Sequence, residues 1–220
     1  MRPLYAILCS VFAIGANSDL SDNWEWVKEK SQVLQDQSFG QADEIWSEDH
    51  HHVTGWRLSG ENEYSPDILS DRIILTPPHP GNRRAAMWAE HPQQEENWSA
   101  EFEFRATGPE RGSGNLQIWY AKEGHNEVGL ASIYTVGKFD GLAITISRHG
   151  GHGGSIRGFL NDGTTSMKDH HDVDRLTFGH CDFSYRNLGR FTHIAMKQTS
   201  TSFEVTVDHR LCFETSKVGT

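Results

Sequence analysis

Two short runs hold the densest sets of side chains able to do chemistry. RHGGHGG (148–154) places His149 and His152 among glycines, and KDHHDVD (168–174) sets Asp169, His170, His171 and Asp172 side by side. Imidazole and carboxylate ligands suit zinc or copper rather than calcium. The same imidazoles titrate between a near-neutral and a mildly acidic compartment, which is the chemistry of a proton switch. The plain alternative is solvated loop histidines beside flexible glycines, in a chain with 13 His among 220 residues. Glycoside hydrolysis would need two carboxylates facing each other across a cleft, about 5–10 Å apart. The Glu-x-Asp-x-x-Glu strand of sandwich glucanases does not occur, and Glu101 and Glu103 read as one wet strand face. No catalytic residue is assigned, and the chain is not read as an enzyme.

The elements around these runs are short and extended. In ENWSAEFEFRATG (96–108), Trp98, Ala100, Phe102 and Phe104 alternate with Ser99, Glu101, Glu103 and Arg105, the pattern of a strand with one wet face. Leu116, Ile118 and Tyr120 repeat it beyond a Gly-rich turn, with Trp119 and Tyr120 read as core rather than as a sugar-stacking pair. Further strands are expected at 72–76, 85–89, 129–136, 142–147, 155–160, 192–198, 202–208 and 210–214. Turns are expected at PPHPGN, at Asp140-Gly141 and at Asn161-Asp162-Gly163. Helical periodicity is nearly absent after residue 38. Many short strands with Gly/Pro turns predict an all-β, two-sheet sandwich.

The formal net charge is −10 with scattered basic residues, which argues against nucleic acid. Arg2 followed by an apolar run from Leu4 to Ala16 and small residues reads as a secretory signal peptide over 1–18, the alternative being a buried N-terminal strand or helix. Residues 19–38 read as a leader, a short helix or disordered, and 39–220 as the domain. The run is too short to cross a membrane. Loss of Cys9 with the leader leaves Cys181 and Cys212, which in an oxidising lumen either pair or stay as buried thiols. Asn97-Trp98-Ser99 is a glycosylation sequon.

From about Phe39 the chain resembles the leguminous-type (L-type) lectins of the early secretory pathway, the mannose-binding cargo receptors of the ER–Golgi boundary and their fungal relatives. The residues that carry the resemblance are ILSDRIILTPP (68–78), RRAAMW (83–88), ENWSAEFEFRATG (96–108), NLQIWYAKE (115–123), the stretch from Gly129 to Gly141, and the cysteines of GHC and LCF. The resemblance implies a concanavalin-like antiparallel jelly roll and a Cys181–Cys212 disulfide. It also implies recognition of high-mannose glycans on glycoproteins in the ER or Golgi lumen, or after secretion. The family's mannose-gripping Asp falls on Gly114, followed by Asn115, and a sugar-contacting Ser falls on Ala86. The calcium loop falls on TISRHGGHGG (145–154), which has no carboxylate. Calcium wants six to eight oxygens, several charged. The expectation is therefore no calcium cofactor, and weak, calcium-independent binding through Asn115, His149 and Asp169. In the family's frame the loop histidines gather at one end of the sandwich. The family pattern also continues past Cys212 through further strands, so a domain short of its last strands is expected, with a longer form able to carry a membrane anchor and to act as an oligomer. The rival function is a sandwich that has lost sugar and works by protein–protein contact, with a jelly-roll glycosidase third.

Overall fold

The computed structural model describes residues 4–13, 32–33, 38–39, 52–60, 64–76, 83–93, 95–108, 114–122, 138–148, 153–167 and 173–216. Fourteen strands are found among the described residues. In chain order they are β1 (Leu4–Ala13), β2 (Gln32–Val33), β3 (Trp56–Gly60), β4 (Asp67–Ile68), β5 (Ile73–Ile74), β6 (Ala85–Ala89) and β7 (Trp98–Ala106). There follow β8 (Leu116–Ala121), β9 (Asp140–Ser147), β10 (Ser155–Asp162), β11 (Thr177–Asp182), β12 (Thr192–Gln198), β13 (Phe203–Val207) and β14 (Arg210–Thr215). A 3₁₀ turn, Val173–Leu176, precedes β11. The large sheet runs β14-β13-β12-β7-β1-β5-β4, with β2 also paired to β1. The small sheet runs β11-β10-β9-β8, and β3 and β6 form a two-stranded ribbon. All these strand pairings are antiparallel. The all-β sandwich is as the residue pattern implies.

The core forms where the inner faces of the two large layers meet. From β7 it takes Trp98, Ala100, Phe102, Phe104 and Ala106; from β9, Leu142, Ile144 and Ile146; from β12 and β13, Ile194, Met196, Phe203, Val205 and Val207. The period-two alternation read in β7 thus selects the buried side. Its other side is drier than expected. Ser99 is buried, and Glu101, with its side chain 13% exposed, lies 3.4 Å from His193 Nε2 instead of standing in water. A second apolar cluster of Phe139, Ala143, Phe159 and Met167, joined by Trp88 and Trp119, sits on the opposite face of the small sheet. Trp119 is core, edge-on to Phe139 at 4.9 Å between ring centroids, whereas Tyr120 at the strand end is 41% exposed.

Asp140-Gly141 does not form the expected turn. It opens β9, where Gly141 lies opposite Ala121. A Cβ at Gly141 would lie 2.2 Å from the carbonyl oxygen of Tyr120, so glycine is required by the closeness of β8. Gly163, by contrast, has φ 80° in the turn after β10, as the Asn-Asp-Gly signal demands.

The run read as a signal peptide is placed at the centre of the large sheet as β1, paired with β7 from Leu4–Ala106 to Ala13–Trp98. On its other edge β1 pairs with β5 and β2. Excision and sheet formation therefore compete for the same residues. Of the leader expected over 19–38 as a short helix or disordered, only Gln32, Val33 and Ser38 are among the described residues, and Gln32–Val33 is a strand. The expected strand at 129–136 lies outside the described residues.

Cys181 of β11 and Cys212 of β14 form a disulfide, with Cα atoms 5.3 Å apart, and so tie the small sheet to the edge of the large one. Beside it Gly158 and Gly179 are notches: a Cβ on either would come within about 2.6 Å of the Phe178 or Phe213 ring.

Removing residues 1–18 bares one edge of β7 over nine residues, and the expected outcome is a Tm lower by about 10 °C or more together with soluble oligomers, read by differential scanning fluorimetry and size exclusion. Replacing both Cys181 and Cys212 by Ser should cost about 3–4 kcal/mol in the chain-entropy account, read by urea denaturation of oxidised and variant protein.

Candidate functional site

The strand ends β8-start, β9-end, β10-start and β11-end meet at one rim of the small sheet, bringing Gly114, Asn115, Ser147, Arg148, Gly153, Gly154 and Ser155 together. Tyr185 fixes this rim from beneath. Its hydroxyl donates to the Gly114 carbonyl over 2.8 Å, and its ring lies within 2.8 Å of where a Gly154 Cβ would be. Burial pushes the Tyr185 phenol above its ordinary pKa, so it stays a donor throughout the neutral range. Gly153 and Gly154 have φ 90° and 143°, backbone that suits glycine and lets the chain leave β9 and return close to it. The Asn115 side-chain oxygen accepts from Gln117 Nε2 at 3.3 Å, which orients the amide at the rim.

Behind the rim the outer face of the small sheet is built of three cross-strand rows, because directly paired residues share a face. The first is Ser147–Ser155–Asp182, the second Gln117–Thr145–Arg157–His180, and the third Trp119–Ala143–Phe159–Thr177. Two polar rows thus lie beside an aromatic one. Thr145, Ser147, Ser155 and Arg157 are buried. The Arg157 guanidinium pairs with Asp174 of the 3₁₀ turn and lies 5.5 Å from the Phe159 ring centroid. Thr145 Oγ1, Ser155 Oγ, Thr177 Oγ1 and Arg157 Nε find no hydrogen-bond partner among the described residues.

Of the residues expected to act, Asn115 is at the rim. His149, His152, Asp169, His170, His171 and Asp172 lie outside the described residues. Ala86 is in β6, opposite Ser59. Asn97 is half-buried just before β7, and its Oδ1 accepts from the Ser200 amide at 2.9 Å, leaving Nδ2 uncommitted in that contact. The polar residues at the end of β9 are Thr145 and Ser147, followed by the cation Arg148, a poor match to a hard dication. Among the described residues no three His, Cys, Asp or Glu gather as a metal group.

Sequence reasoning missed the buried polar rows. Arg157 stands in SIRGFL, a run whose alternation reads as an ordinary strand, and only an Arg on the same face as Phe159 signals it. A second polar cluster on the large sheet was also missed. His193 stacks on His209 at 4.7 Å between centroids, and Asp208 accepts from the His193 amide and from Arg190. Burial works against the Asp208 carboxylate, but the bonds from Arg190 and the His193 amide outweigh it and hold the pKa below the usual carboxylate range. Asp208 and His209 both have φ near 50–60°, a two-residue turn matched to the twist of β13 and β14.

The model of the legume-like lectin family matches residues 30–219 of this chain. Protein EMP47 of Saccharomyces cerevisiae is 24% identical over 152 residues, which is 67% of this chain and 34% of that protein. The chain thus spans about a third of that relative's length. Among solved structures, the Emp47p carbohydrate recognition domain superposes with a TM-score of 0.68 at 21% identity, covering 81% of this chain and 78% of that one. The VIP36 exoplasmic/lumenal domain in its Ca²⁺/Man-bound form gives 0.69 at 17%, covering 84% and 78%. The metal-free Emp46p carbohydrate recognition domain gives 0.66 at 22%, covering 80% and 81%.

Tyr185→Phe removes the bond to Gly114 and leaves that carbonyl without its donor. The expected loss is about 1 kcal/mol of stability by denaturant titration, with faster amide exchange at residues 114–116.

Proposed function

The chain belongs to the legume-like lectin family, and on that premise we propose that it is a glycan-binding domain of the secretory pathway whose grip on sugar does not depend on calcium. The observation that carries the reading is the rim where Asn115 and the Gly153-Gly154 backbone converge, held by Tyr185 and backed by polar and aromatic rows. Such a rim offers the amide of Asn115 and main-chain N–H groups to sugar hydroxyls. Asn115, His149 and Asp169 are the proposed contacts. The VIP36 domain has been solved with mannose, Man2 and Man3GlcNAc, and neutral high-mannose glycans on glycoproteins are accordingly the proposed ligands here.

Gly114, where the family resemblance implies an acidic sugar ligand, offers no side-chain acceptor, and TISRHGGHGG supplies no carboxylate for a cation. A site without these anchors is shallow and weak, so a cargo-receptor role in ER–Golgi transport would depend on avidity, through oligomers or a membrane-anchored longer form. The proposed compartment is the secretory lumen, in keeping with the Cys181–Cys212 disulfide, and Asn97 of the Asn-Trp-Ser sequon is the proposed glycan site. A second reading is a protein–protein contact domain, favoured by Gly114 standing where an acidic sugar ligand is expected.

A glycan array probed with the purified chain, with and without EDTA, separates these readings. High-mannose signal that survives EDTA is the expected result. Signal abolished by EDTA would overturn calcium independence, and a blank array would turn the assignment to protein contact.

A further inference from the structure

Residues 183–187, which leave β11 on the way to β12, touch three crossings of the chain around the rim, one at every second position. The Phe183 amide donates to the Gly154 carbonyl at 2.9 Å, and the Tyr185 hydroxyl donates to the Gly114 carbonyl. The Asn187 amide donates to the Ala106 carbonyl at 2.9 Å, beside a parallel bridge between Ala106 and Arg186. The Asn187 side chain then takes both main-chain groups of Gly108. Its Oδ1 accepts from the Gly108 N–H at 2.9 Å, and its Nδ2 donates to the Gly108 carbonyl at 2.7 Å. Ala106 ends β7 and Gly114 leads into β8. One short strap thus holds the end of a large-sheet strand, the approach to a small-sheet strand and the Gly153-Gly154 return together.

Few residue types can stand at position 187. Its φ of 56° lies in the left-handed region, which Asn tolerates better than most side chains do. A primary amide carries a donor and an acceptor, so it pairs with the N–H and the C=O of one residue as a neighbouring strand would, whereas Asp lacks the donor. The two bonds to Gly108 join positions 79 apart in the chain, and the Tyr185 bond joins positions 71 apart, so neither is a local turn preference. The Asn187 bonds are solvent-exposed. Their net contribution to global stability is therefore small, and what they supply is placement.

Resting on the lectin reading, we infer that Asn187 is a positioning residue for the glycan rim and acts without touching sugar. Asn187 anchors the strap on the end of β7. Tyr185 and Phe183, two and four residues earlier, carry that fixed position to Gly114 and Gly154. The separation between the Asn115 amide and the Gly153-Gly154 backbone follows from it. A neutral sugar whose hydroxyls bridge these two sides needs them at a constant spacing, because a shift of about 1 Å takes a donor and acceptor out of bonding range.

The test is isothermal titration of the full chain with a neutral mannose oligosaccharide, in EDTA and in calcium, for wild type, Asn187→Gly and Asn187→Asp. Amide exchange at residues 114–116 and 153–155 is followed alongside. Asn187→Gly keeps the left-handed backbone at no steric cost and deletes both bonds to Gly108, whereas Asn187→Asp keeps the acceptor. Both variants are expected to melt within about 2 °C of wild type. Affinity should fall about fivefold in Asn187→Gly, the ratio carried by one ordinary hydrogen bond, with Asn187→Asp recovering part of it. Exchange should quicken at the rim and stay unchanged in β12. Wild-type affinity in both variants overturns the positioning role and leaves the lectin reading intact. Affinity lost in step with Tm, with faster exchange across β12, overturns it as well, since a merely structural residue behaves that way. No binding by wild type in either solution overturns the lectin reading, and with it the rim that Asn187 would position.

Discussion

The close approach of the two sheets at β11 and β14 governs the rest of the molecule. The Phe213 and Phe178 rings press onto Gly158 and Gly179, where any side chain would collide, and the Cys181–Cys212 bond holds the strands at that spacing. With that edge fixed, the inner face of β9 and β10 is committed to the core. Their opposite face then has to carry whatever polar residues the sequence places there. The rim at Asn115 and the buried rows behind it both inherit their positions from this packing. Aromatic rings over glycine achieve the contact by shape, since dispersion between well-fitted surfaces is lost quickly as a gap opens.

Much of the fold was legible because period two is a strong signal where one face is buried. β6 and β12 were read with the bounds they have, and β9, β10, β13 and β14 to within two residues. β3, β4 and β11 were not read. In β11, THR-PHE-GLY-HIS-CYS-ASP mixes glycine and polar residues, because the strand is an edge whose outer face is wet and whose inner glycine is a notch. Short strands such as β4, two residues long, carry too little sequence to show a period. Asp140-Gly141 misled because a glycine demanded by a neighbouring backbone looks the same as one demanded by a turn.

The functional surface was less legible for a physical reason. A residue type reports its chemistry, while its environment depends on strands far away in the chain. Glu101 and His193 are separated by 92 positions, yet meet because β7 and β12 are neighbours, and neither run alone predicts a half-buried pair. Arg157 is likewise an unremarkable strand residue until its register against Thr145 and His180 is known. Asn115 was found because a family pattern pointed at its position; its tether to Gln117 follows from the i, i+2 spacing of a strand face.

The central place of β1 has a kinetic meaning. Its first residues pair with the last residues of β7, Leu4 opposite Ala106, and β7 in turn waits for β12 on its other side. During synthesis the large sheet cannot assemble from neighbouring hairpins alone, because its middle joins segments made at widely separated times. Folding of that sheet is thus dominated by distant pairings, which slow the search and leave an apolar segment without its partners while the remainder is still being made. A nascent chain of this design would lean on holding factors until β7 emerges.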